Sequence, residues 1–159
     1  MTKPGASGTS NTGSNHTASD HAVTEYRAAS QRNDIDALLT TLASDAEVVS
    51  PLSGRMVFRG HADLLVLQRA IYGTLRQLRW HSEIGEGARR VVLGEARVGP
   101  LRLTDAMVVE FAPDGKIQRI RPHLRPWLAT TLLALILGPK IARHPGVIVR
   151  ALKNGKYEA

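Results

Sequence analysis

An α+β domain, with a strongly bent and largely antiparallel sheet wrapped on helices, is the fold class this sequence predicts, and three observations predict it. Apolar residues recur at helical spacing over 20–33, 34–42 and 61–75. Between Gln77 and Pro126 the spacing changes to period two, broken by turn signals at Gly85-Glu86-Gly87, Gly99-Pro100 and Pro113-Asp114-Gly115. After Pro126 the chain turns helical again and is at first apolar nearly all round. A chain of 159 residues is expected to form one domain with its own core.

Each element has its own signal. Residues 1–19 are rich in Gly, Ser, Thr and Asn and carry no apolar run, which predicts a disordered, solvated tail and no secretory segment. Val23, Tyr26, Arg27 and Ser30 then share one side of a helix that Asp20 is placed to cap and that ends near Asn33. Asp34 caps a second helix with the stripe Ile35, Leu38, Leu39 and Leu42, before a strand over Ala46–Ser50. Ser53-Gly54 followed by Met56-Val57-Phe58 predicts a hairpin. Leu64, Leu67, Ile71 and Leu75 form the face of a third helix, and Gln77–Pro126 reads as a four-stranded meander.

Composition removes several classes of function. There is no cysteine, so disulfides, thiolate catalysis and cysteine–zinc sites are excluded, and a reducing cytoplasm is the expected location. His16, His21, His61, His81, His123 and His144 show no metal-ligand spacing, so neither a metal nor another cofactor is expected. The formal charge of +7 lies wholly at one end: from Arg119 onward eight Lys and Arg stand against Glu158 alone. Such a terminus attracts anionic partners, but no nucleic-acid-reading motif accompanies it.

The stretch Val23–Pro51, VTEYRAASQRNDIDALLTTLASDAEVVSP, resembles the entry of the ketosteroid isomerase and SnoaL-like branch of the nuclear transport factor 2-like superfamily. The strand–Asp114-Gly115-Lys116–strand pattern extends the resemblance to Leu124. It implies a domain over 20–125, a cone-shaped barrel of mixed and antiparallel strands on three N-terminal helices, enclosing a pocket for a small hydrophobic ligand. It also implies a possible homodimer through the outer sheet face. Tyr26 matches the pocket tyrosine of the isomerases, whereas Ser50 and Met107 stand where they carry their two acids. A positioned acid or base is worth about two to four orders of magnitude in rate, so ordinary ketosteroid isomerisation is not expected. The Asp–Arg–Asp set of limonene epoxide hydrolases is matched only by Arg97, with Gly99 and Pro122 at the aspartates.

Alternation sets two faces on these strands, and matching the turn at Asp114-Gly115-Lys116 to that of the isomerases implies that Leu103, Asp105, Met107, Val109 and Phe111 lie on the concave one, with Ile120, Pro122 and Leu124 beside them. Tyr26, Ser50, Phe58 and Trp80 complete the expected ligand-binding lining. Asp105 is the remaining pocket carboxylate, and hairpin pairing with Glu95 and Arg97 alongside gives it two readings. In one, Asp105 is a general acid or base acting with Tyr26 and tuned by Arg97, as in an isomerase or cyclase. In the other, it is a cross-strand ion pair near the sheet's end.

The extension 126–159 departs from the resemblance. Trp127–Leu137 is too short to span a bilayer, Gly138-Pro139 signals a helix stop, and Pro145 starts a second helix with Val147, Ile148 and Leu152. Packing on the body as a lid or dimer contact is the expected role. A membrane-surface module, with Trp127 as anchor and Lys140, Arg143, Arg150 and Lys153 toward anionic headgroups, is the alternative.

Overall fold

The computed structural model describes residues 11–156, with side chains from residue 16 onward. Helix α1 runs Asn11–Arg32. Residues 1–10 of the expected tail lie outside the described residues, but Asn11–Ser19 are helical, which corrects the boundary read from composition. The cause is tertiary. Ala18 and Ser19 seat on the turn at Gly115, where a Cβ would lie 2.5 Å from that of Ala18, and Ser19 is buried. Asp20 is therefore no cap; it sits inside the helix and meets Arg90 Nη2 at 2.6 Å. Contact with the sheet outweighs a weak local preference.

Asn33, at φ 55, ends that helix, and Asp34 caps α2, Ile35–Thr40, by accepting from Ala37 N at 3.0 Å. Leu42, expected in the helical stripe, instead opens β1, Leu42–Val49. β2, Val57–Arg59, folds back antiparallel on β1, and Gly60 at φ 82 turns the chain into α3, His61–Tyr72. The meander is β3, Arg76–Ile84; β4, Arg89–Val98; β5, Leu101–Phe111; and β6, Ile117–Arg121. A short β7, Leu124–Arg125, then returns to β5.

These strands form one open, strongly curved, seven-stranded mixed sheet, ordered β2-β1-β6-β5-β4-β3, in which β1 and β6 are parallel. Register shifts interrupt β3 at Arg76/Arg79 and Trp80/Ser82, where irregular pairing sharpens strand bend and twist. Gly94 of β4 leaves room for that bend, because a Cβ there would lie 2.4 Å from the Trp80 ring. Leu38, Leu42, Leu64, Val92, Val109 and Ile117 are fully buried between the helices and the concave face.

Two further helices complete the fold, α4 over Trp127–Ala142 and α5 over Pro145–Gly155. α4 continues through Gly138-Pro139 instead of stopping there, a second correction. Leu137 before the proline and Ile141 after it both pack on the core, and this fixes the helix on either side of the missing hydrogen bond. Ala129, Leu133 and Leu137 are buried against the body, as are Val147 and Ala151 of α5. α5 is clamped by Arg150, whose Nε and Nη2 donate to the buried Asp63 carboxylate at 3.0 and 2.5 Å, and by Asn154 donating to the Val57 carbonyl at 3.1 Å.

Candidate functional site

The sheet and helices enclose a cavity of about 320 Å³. Its walls are almost entirely apolar, with Val48, Phe58, Leu78, Trp80, Met107 and Ile120 from the sheet, Leu67 and Ile71 from α3, and Leu133, Leu137 and Ile141 from α4. Of the residues named from the sequence as ligand-binding, Tyr26, Ser50, Phe58, Trp80, Met107, Ile120, Pro122 and Leu124 lie along this cavity. Val109 does not. It is fully buried in the core, one layer away from the lining.

Tyr26 of α1, Gln68 and Tyr72 of α3 and Asp105 of β5 are among the polar side chains that break the apolar wall. Tyr26 projects from α1 and Tyr72 from the last turn of α3, and their hydroxyls lie 2.7 Å apart with the rings edge to face at 6.5 Å. Burial pushes both phenols well above their ordinary range, and the nearby charge of Asp105 pushes them further. Gln68, one turn before Tyr72 and equally buried, also hydrogen-bonds Tyr26. Tyr72 and Gln68 are not among the expected site residues. The signal was present in the spacing, since 68 and 72 flank the apolar positions Leu67 and Ile71 on α3.

Asp105 faces the cavity from β5. Burial raises its carboxyl to about 6, opposed by the His123 backbone N–H, which donates to Oδ1 at 2.9 Å, and by the His123 charge. The expected neighbours are elsewhere. The turn at Gly99-Pro100 pairs Val98 with Leu101, and the register that follows sets Gly94, not Glu95 or Arg97, opposite Asp105. Arg97 pairs with Arg102 and donates to the Pro100 carbonyl at 2.8 Å, and Glu95 turns its carboxylate to Arg102 at 3.2 Å. Both the tuning role for Arg97 and the Asp105 ion pair are thereby corrected: the pleat sends alternate side chains to opposite faces.

What remains is a carboxyl titrating near neutrality and a pair of phenols kept protonated, in a chamber with few competing polar atoms. Such a set can donate a hydrogen bond to one oxygen of an apolar ligand and exchange a proton close by.

No protein-family model and no curated protein matches this sequence. Solved structures do. An uncharacterized bacterial protein with a cystatin-like fold from Silicibacter pomeroyi aligns with TM-score 0.75 at 15% identity, covering 82% of this chain and 93% of its own. A steroid delta-isomerase from Pseudomonas aeruginosa aligns with TM-score 0.72 at 21% identity, over 81% and 95%. A SnoaL-like protein of unknown function from Burkholderia thailandensis gives TM-score 0.57 at 19% identity, over 69% and 97%. The chain has the nuclear transport factor 2-like fold. At these identities the likeness concerns the fold; on a nuclear transport factor 2-like scaffold, function is argued from the cavity.

Proposed function

We propose that this nuclear transport factor 2-like domain binds a flat, apolar small molecule bearing one ketone or hydroxyl oxygen. The observation that carries the reading is the buried Tyr26–Tyr72 hydroxyl pair set into the wall of an apolar cavity of about 320 Å³. That volume lies within the ~300–1,000 Å³ range of ligand pockets, and one convergent polar cluster in an apolar lining is how such pockets orient a ligand. The phenols are held neutral, so the pair donates to the ligand oxygen without carrying a charge into the cavity.

Asp105 favours a second reading, a slow proton-transfer enzyme of isomerase or cyclase type. A carboxyl near 6 is mostly the carboxylate base at physiological pH and regains its proton within about a unit below it. With Ser50 and Met107 in place of further acids, turnover falls well below that of a dedicated isomerase.

Trp80 lines the cavity, so its fluorescence reports occupancy. Titration with a 4-ene-3-ketosteroid is expected to quench it saturably, and Tyr26→Phe is expected to weaken binding roughly tenfold, the value of one buried hydrogen bond. No saturation with any planar polycyclic ketone overturns the binding reading. Isomerisation of a 5-ene-3-ketosteroid tests the second: feeble in wild type, absent in Asp105→Asn, raised in Ser50→Asp. Wild-type turnover at the level of a competent isomerase overturns the ranking.

A further inference from the structure

We propose that the outer face of α4 and α5 docks on an anionic lipid surface. Independently of any ligand, the observation behind it is where exposed apolar residues lie. Of the seven large hydrophobic side chains exposed among the described residues, five belong to these two helices: Trp127, Leu128, Leu135, Val149 and Leu152. Trp127 is 73% exposed and Leu135 68%.

The charge around them selects the occupant. No Asp or Glu occurs between Asp114 and Glu158, while Arg125, Lys140, Arg143, Lys153 and Lys156 are all exposed. Two helices that expose apolar side chains and carry cations but no Asp or Glu match anionic headgroups above acyl chains. A second copy of this chain fits badly, because a two-fold contact through the same face sets the cations of the two copies against each other. A transmembrane arrangement fits no better. No single helix among the described residues is long and apolar enough to cross, the α4–α5 pair is bent by 115°, and the inner faces of both helices are already committed to the body. The helices therefore lie on the surface. α4 is at the same time a wall of the cavity, through Leu133, Leu137 and Ile141, so docking sets the cavity one helix away from lipid.

The test is sedimentation of the full chain with vesicles of phosphatidylglycerol and phosphatidylcholine against vesicles of phosphatidylcholine alone. Binding is expected to the anionic vesicles, to fall steeply between low salt and ~0.5 M salt, and to blue-shift the emission of Trp127. The double substitution Arg143→Glu/Lys153→Glu leaves the Arg150–Asp63 clamp intact and is expected to lower partitioning at least tenfold; Leu135→Ser with Trp127→Ser is expected to abolish it. Circular dichroism melting verifies that each variant is folded. Absence of binding by folded wild-type protein at every anionic fraction overturns the proposal, as does equal binding to neutral vesicles. So does a concentration-dependent dimer that the apolar substitutions dissolve while vesicle binding stays at background.

Discussion

α1 and α4 both wall the cavity, yet their compositions and their burial run in opposite senses. α1 is a polar helix of Asn, Ser, Thr and Ala, and it buries Ala22, Val23, Tyr26, Ala29 and Ser30. α4 is the most apolar helix in the chain, and it buries only Ala129, Leu133 and Leu137 while leaving Trp127, Leu128 and Leu135 outside. Hydrophobicity of a segment thus does not tell how deep it sits. α1 is buried because small side chains let it approach the sheet and because its polar atoms find partners there. Trp80 Nε1 donates to Ser30 Oγ at 2.9 Å, and Arg27 donates to the Trp80 carbonyl at 3.2 Å. α4 has one packed face and one face without a partner inside the molecule.

The sharpest way to break this contrast is to remove α4 and α5 by ending the chain at Pro126. Loss of the buried leucines and exposure of the cavity are expected to abolish the cooperative thermal transition or cause aggregation; a truncated protein melting like the full chain refutes the packing described. The next effect separates the two faces of α4. Leu133→Ala is expected to cost ~2–4 kcal/mol, as large-to-small core changes do, and Leu135→Ala less than ~0.5 kcal/mol, both read from urea denaturation.

Asp105→Asn probes the polar side of the cavity by pH. A carboxyl raised to about 6 in the folded state, above its unfolded value of ~4, binds its proton more tightly when folded. Its contribution to stability is complete below pH ~4 and is lost as pH rises through about 6. Asn keeps an acceptor for the His123 N–H, so the variant is expected to be more stable than wild type at pH 7–8, by at most ~3 kcal/mol, and equal to it near pH 4. Urea titrations at the two pH values decide it. A smaller effect than those of Leu133 and Asp105 is expected at α1: Tyr26→Phe deprives the Tyr72 hydroxyl of one partner and costs ~1 kcal/mol. A cost near zero means that Gln68 or Ser30 takes over.

Much of this architecture was legible in the sequence. The cap at Asp34, the glycine before α3, the change of period at Gln77 and the proline at the head of α5 each set a boundary through local chemistry, and local chemistry is what sequence displays. Alternation separates the two faces of each strand, but which of those side chains reach the cavity depends on how the sheet curves, and Val109 stays in the core. The start of α1 was not legible, because Ala18 and Ser19 are seated by a close approach to Gly115, about a hundred residues away. The Arg97 error was of another kind. The turn at Gly99-Pro100 fixes the pairing by counting, and counting back from it reaches Gly94 opposite Asp105. The spacing on α3 marks Gln68 and Tyr72 as inward positions, but their meeting with Tyr26 depends on the angle between α1 and α3, which no spacing reveals.

Two hydroxyls at 2.7 Å own two hydrogens and spend one on each other. Either oxygen can be the donor, so the direction of the Tyr26–Tyr72 bond reverses by two bond rotations without moving a ring, while Gln68 and Ser30 also reach the pair. If the proposed ligand binds there, a guest that only accepts takes the second hydrogen in competition with those neighbours, and a guest that brings its own hydrogen meets a lone pair after the reversal. On the proposed reading, the same cleft takes the oxidised and the reduced forms of one carbon skeleton alike, and its selectivity resides in shape and not in the redox level of the oxygen it holds.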